Sequence, residues 1–356
     1  MSVIDQNKQW HASVQRAGSG AIVNCTWRGK RSFTHRQDYD DAENIYTGAI
    51  DRYETHLEGA KRGFDNVPVC AAMGGVAYLL ASAYGCPIIY QNDLTVTRPK
   101  YATHESIKDF AYVPNAWENG FYEKIFKAIE VFNERYPEIP LSVSDTQSPI
   151  DVITELMPVD TCILMMMDDP ALAHTILSAI TQSMIDINRQ FEARIHNFAG
   201  FAPCYYLPYG IHVSDDNAAF LSPDFYAEFA VPYAEILSAE FGGIFLHICM
   251  KFEQNIKNLA SIKGFIGYDA MPYYNDPVKI VEALGGGKVW NVYDYAHSRP
   301  KHETESPEAY YKRLIDINDS HNAMRFDIYN SNMDDALRLA HIVKEYAAQK
   351  GMAVRG

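Results

Sequence analysis

No C-x-x-C pair occurs among the six cysteines (Cys25, Cys70, Cys86, Cys162, Cys204 and Cys249), and no cysteine follows Cys249. So scattered a set in a chain of 356 residues argues against a disulfide framework and for a reducing, cytoplasmic compartment. Basic charge is in deficit too: 31 Lys+Arg stand against 45 Asp+Glu, a formal charge of −14. That deficit sets aside nucleic acid and anionic membrane surfaces as main partners. No basic segment followed by an apolar run opens the sequence, so a secretory signal is not expected. Internal repeats, low-complexity tracts and Pro/Gly/Ser linkers are missing as well, which leaves nothing to cut the chain in two. One uncharged run, 67–91, is long enough to span a bilayer. Gly74-Gly75 and Gly85-Cys86-Pro87 interrupt it, and it reads as a buried helix running into a buried strand. Disorder is excluded by what is plentiful: 24 Tyr, 17 Phe and 4 Trp.

What is present is an alternation of short β-type runs and longer helical patterns. Composition and period predict strands at Ala21–Trp27, Pro87–Gln91, Ile139–Ser144, Phe201–Pro208, Gly243–Cys249, Gly264–Asp269, Lys288–Tyr293 and Ala323–Tyr329. Helices are predicted between them, at 42–62, 116–136, 170–196, 223–241, 276–284, 307–317 and 333–348. Ser222-Pro223 and Ser306-Pro307 each place a capping hydroxyl before a proline suited to a helix's first turn. Strand and helix in this rhythm make an α/β fold, and eight strand candidates favour a single closed (β/α)8 TIM barrel. Residues 1–65 read as an N-terminal helical extension packed on a barrel formed by 66–356.

In such a barrel the chemistry sits where strands end. The expected strand ends are polar: 144–147, 209–212, 247–249, 268–269, 293–294 and 327–330. The sharpest is His247-Ile248-Cys249. Residues i and i+2 of a strand face the same side, so an imidazole and a thiol converge, a pairing that suits zinc. A core histidine beside a structural cysteine would look the same. Asp145 is a pocket acid or a helix cap. Tyr205, Tyr206, Tyr209, Tyr273, Tyr274, Tyr293 and Tyr295 would crowd the barrel mouth as an aromatic wall for a flat ligand. Met165-Met166-Met167 reads as core packing, and Gly285-Gly286-Gly287 as a helix-to-strand turn.

The run from Ser214-Asp215-Asp216 through Leu221-Ser222-Pro223 and Phe229-Ala230-Val231-Pro232-Tyr233 to Leu246-His247-Ile248-Cys249 resembles the uroporphyrinogen decarboxylase superfamily. Asp145-Thr146-Gln147-Ser148-Pro149-Ile150-Asp151 is similar to that family's Gly-Pro segment after a strand. The resemblance is firm over about 210–300 and looser elsewhere; it implies a (β/α)8 barrel. It also implies one of two activities. The decarboxylase proper needs no cofactor and grips an acidic tetrapyrrole with basic residues, to which only Arg28, Lys30 and Arg31 correspond here. The cobalamin-linked methyltransferases bind zinc through H-x-C and a distant cysteine, and move a methyl group between a corrinoid and a small donor or acceptor.

His247 and Cys249 fit the second branch, and the missing last cysteine departs from it. Asp327 is the expected replacement as third metal ligand, with Asp215, Asp216 or Cys204 as alternatives. The leading expectation is therefore a zinc-dependent methyltransferase acting on a phenyl methyl ether or a thiol. Asp145, Asp216 and Tyr293 would be its pocket groups, and Tyr209 and Tyr273 would contact the cofactor. Its partner would be free cobalamin or a corrinoid protein, with homodimerisation left open. The alternatives are a metal-free decarboxylase-like lyase and a catalytically silent barrel that binds a corrinoid or a tetrapyrrole.

Overall fold

The computed structural model describes residues 1–27, 42–71, 79–91, 94–203, 205–270, 274–292, 305–319 and 321–356. Its strands are β1 (Ala21–Trp27), β2 (Cys70–Ala71), β3 (Ile88–Gln91), β4 (Leu94–Thr97), β5 (Leu141–Ser142), β6 (Ile211–Ser214), β7 (Ile244–Ile248), β8 (Phe265–Ala270), β9 (Val289–Val292) and β10 (Ala323–Asn330). Six of them form a parallel sheet in the order β1-β10-β9-β8-β7-β6. Parallel bridges Phe201↔Ile211 and Gln147↔Ser214 carry the ring from β6 to the β5 segment, and β5 pairs with β2. Between β2 and β1 two side chains do the work of a ladder. Asn66 accepts from Cys25 N–H and donates to Cys25 C=O, both at 3.0 Å, and Asp65 accepts from Val23 N–H at 2.8 Å. The result is an eight-stranded (β/α)8 barrel, made of β1, β2 and β5–β10.

Strand parity explains what fills it. Val23, Cys25, Leu246, Ile248, Tyr268, Trp290, Val292, Phe326 and Ile328 face outward into the main core under the helices. The alternate residues face inward, apolar first and polar two residues later: Ile22 then Asn24, Phe245 then His247, Val289 then Asn291, Ala323 then Arg325. The apolar members join Val14 of α1 (Val3–Ala17), Ala202, Tyr205 and Leu207 in a second cluster that closes the barrel floor. α1 is held there by a Ser2 capping box and by Trp10 Nε1 donating to Ala21 C=O at 3.2 Å. The C-terminal tail reaches the same end: Ala353 C=O accepts from Ala21 N–H at 2.8 Å.

Several expected elements differ. Pro87–Gln91 matches β3 closely, but β3 forms an antiparallel hairpin with β4 and is no stave of the barrel. Phe201–Pro208 is not a strand. Pro203 and Pro208 lack N–H donors, and Gly200 (φ 114°) and Gly210 (φ 85°) turn the chain, so pairing resumes only at Ile211. The helix expected over 223–241 is two, Pro223–Phe229 and Val231–Phe241, divided where Pro232 cannot continue the first. The division at residue 65 does not hold as drawn: β1 lies within that segment and is a full member of the sheet, so the barrel begins at Ala21.

Candidate functional site

The polar inward residues make a belt above the floor. His247 on β7 and Asp269 on β8 are opposite each other in the register, and His247 Nδ1 is bonded to the Asp269 carboxylate. Asn291 Nδ2 donates to the other carboxylate oxygen at 3.4 Å, and His212 Nε2 lies 3.9 Å from it. Burial disfavours charge on His247, but the Asp269 carboxylate outweighs it and raises the imidazole well above its ordinary pKa. Burial likewise opposes ionisation of Asp269, yet the two imidazoles hold it well below the usual carboxylate range.

Toward the mouth, β7 ends and Cys249 follows His247 on the same side. The two side chains hydrogen bond to each other, and burial pushes the Cys249 thiol up while His247 pulls it down. β6 ends at Ser214, and the next turn brings Asp216 over this pair: its Oδ1 accepts the Cys249 N–H at 2.6 Å. Ligand atoms of Asp216, His247 and Cys249 all lie within 4.8 Å of one another. His212, His247 and Asp269 form a second such group, but its carboxylate already serves both imidazoles.

Sulfur, nitrogen and oxygen donors with this spacing fit a borderline ion such as Zn²⁺, and three protein donors leave one tetrahedral position for a reacting ligand. The Asp269–His247 bond is the arrangement that orients a ligating imidazole from behind. Asp215 is turned the other way: it is buried and accepts the Tyr226 hydroxyl at 2.7 Å. Asp145 accepts from Ser214 Oγ at 3.0 Å, next to the site and outside the donor set.

The sequence model of the uroporphyrinogen decarboxylase (URO-D) family matches residues 60–280, which include all three donors and Asp269. The chain belongs to the uroporphyrinogen decarboxylase family. No curated protein sequence matches it at a significant level. In three dimensions it is similar to a methyltransferase from Methanosarcina mazei, with a TM-score of 0.68 over 95% of this chain and 98% of that one, at 15% identity. That likeness concerns the fold.

Within this URO-D family barrel the expected site residues part company. His247, Cys249 and Asp216 come together. Asp327 does not join them: Asn24 Nδ2 donates to it at 2.9 Å and Arg325 holds it at 3.0 Å. Burial would raise its pKa, but Arg325 and Asn24 lower it on balance, so the carboxylate is committed on the β1–β10 side. Tyr209 lies at the opposite end from the donors. With the strand starting at Ile211, Tyr209 precedes it, and its C=O accepts from Gln15 of α1 at 3.0 Å, at the floor. Tyr205 and Tyr206 share that end for the same reason. Tyr273, Tyr293, Tyr295, Cys204 and the Arg28–Lys30–Arg31 cations lie outside the described residues. Sequence reasoning gave no role to Asp269, His212, Asn291 or Arg325. The signal for the first was parity, since Asp269 lies one residue from the end of β8, as His247 does on its neighbour β7.

Proposed function

We propose that this URO-D family chain is a zinc-dependent methyltransferase that moves a methyl group between a corrinoid and a small donor or acceptor. The observation that carries the proposal is the convergence of Asp216, His247 and Cys249 within 4.8 Å at the ends of β6 and β7. The fold shared with a methyltransferase adds support. Zinc in this set would supply a Lewis acid able to acidify a thiol or polarise an ether oxygen. The chain's own residues do the rest. Asp269 fixes the ring of His247 and its tautomer, Asp216 is pinned to the Cys249 backbone, and Asp145 with Ser214 lines the adjoining wall. An oxygen donor in place of a thiolate makes the centre harder, which favours an ether oxygen over a thiol as the bound group. Cobalamin, free or on a carrier protein, would complete the reaction.

The test is metal content of protein purified without chelator. Wild type is expected to carry about one zinc per chain, and His247→Ala, Cys249→Ala and Asp216→Ala to lose it. Cob(I)alamin mixed with phenyl methyl ethers should then convert to methylcobalamin only with the loaded protein. Well-folded wild type that refuses zinc overturns the proposal. A metal-free lyase has one observation in its favour, the buried guanidinium of Arg325 inside the barrel, but Asp327 already neutralises it.

A further inference from the structure

Asp151 is fully buried in the helix Pro149–Leu156, and both its carboxylate oxygens are spent on a loop of another strand. Oδ2 accepts the N–H of Asp216 at 3.1 Å, and Oδ1 accepts the N–H of Asn217 at 2.7 Å. The helix that carries Asp151 is itself fixed to β6. Ser148 caps it by accepting the Asp151 N–H at 3.0 Å, and Ser148 N–H donates to Ser214 C=O at 2.6 Å. Asp216 in turn accepts the Cys249 N–H at 2.6 Å. The segments 145–151, 214–217 and 247–249, far apart in the chain, are thus one hydrogen-bonded unit. We infer that Asp151 is a positioning residue for metal binding: it sets the direction of the Asp216 carboxylate by holding the two backbone N–H groups at the head of its loop.

The inference rests on the metal reading above and adds a residue that touches no metal. Two geometric facts support it. A carboxylate gripping two consecutive N–H groups fixes the peptide plane from which Asp216 projects. The neighbouring contact, Asn217 Nδ2 to Thr154 Oγ1 at 2.8 Å, tethers the same loop without touching Asp216, so alignment and simple tethering are separable. An amide at position 151 would keep one acceptor and set an NH₂ against one of the two donors.

The experiment titrates apo protein with Co²⁺ and follows the thiolate-to-cobalt absorption that reports Cys249. Asp151→Asn is expected to fold, to keep the thiolate band, and to bind about 10–100-fold more weakly, the range for residues that orient ligands. Thr154→Val should bind as wild type does. Should Asp151→Asn fail to fold, Asp151→Glu keeps both oxygens and takes its place, with the same direction expected. Unchanged affinity in the Asp151 variant overturns the inference, as does an equal loss in Thr154→Val. Wild type that shows no thiolate–cobalt band overturns the metal reading itself, and this inference with it.

Discussion

Two buried histidines outside the donor set weaken the fold in acid. His11 on α1 donates from Nε2 to Asp65 C=O at 2.7 Å, and His56 meets Thr26 Oγ1 at 3.0 Å. Burial pushes both imidazoles down to about 3. In the unfolded chain they protonate near the ordinary value of about 6.5. Below that pH the unfolded state takes up protons that the native state refuses, so their contribution is intact above about 6.5 and is lost as pH falls toward 3. The slope approaches about 1.4 kcal/mol per pH unit for each group. His56→Gln should therefore gain in urea midpoint relative to wild type between pH 7 and pH 5, and an unchanged difference between the two proteins counts against the account. At this scale the sequence was partly legible. His247 and Cys249 announce themselves by i, i+2 spacing, whereas the sequence favours Asp327 over Asp216 as the oxygen donor, and the hold of Arg325 and Asn24 on Asp327 reverses that order.

At the level of the strand, the site depends on how closely β8 lies between its neighbours. Gly267 stands two residues before Asp269 on the same inward side. A Cβ there would meet Val289 C=O at 2.2 Å and the Phe245 ring at 2.8 Å, both fixed parts of the barrel. Gly267→Ala must push β8 away from β7 or β9, and overpacking of this kind costs about 1–3 kcal/mol. Because Asp269 moves with the strand, the variant should also weaken metal binding; loss of stability with full metal affinity would uncouple the two. Strands such as β1, β7 and β10 were readable because β-branched and aromatic runs bounded by turns have few other uses. The 201–210 stretch misled for a physical reason. Its aromatic side chains favour a pleated surface, while its prolines and positive-φ glycines deny it a ladder. That one displaced strand moved Tyr209 from the floor to the mouth. β2 has only two residues, too few for any periodicity to show.

Over the whole molecule, the candidate metal donors stand at the mouth, and a second cluster and an ion-paired clamp tie the floor. Asp65 is fully buried there and is the common partner of Val23 N–H, of Lys344 at 3.7 Å and of Arg355 at 3.4 Å. Met352 is buried in the main core. Removing residues 352–356 strips the Ala21 backbone bond, a buried thioether and one of the two cations from Asp65. A loss of about 2–5 kcal/mol is expected, visible as a lower thermal midpoint. Cobalt affinity at the opposite end should be unchanged in the same protein, and a shift in both would show that floor and mouth are mechanically linked. The closed barrel was legible from the rhythm of strand and helix, although β2 and β6 stand where Pro87–Gln91 and Phe201–Pro208 were expected, and its seal was not legible. Asn66 and Asp65 complete the ring with side chains standing in for a strand, which no hydrophobic period announces.

The plugged floor also has a consequence for traffic. Trp10, Val14 and Tyr205 close one end of the barrel, and among the described residues the way to the donor set is from the other end. Two reactants that share one doorway must queue, the smaller entering before the larger covers the opening, and the smaller product leaving only after the larger has withdrawn. Under the function proposed above, the small methyl donor or acceptor and the bulky corrinoid would both use that opening, and steady-state kinetics should follow a compulsory order, with the bulky reactant at saturation trapping whatever small molecule is already inside.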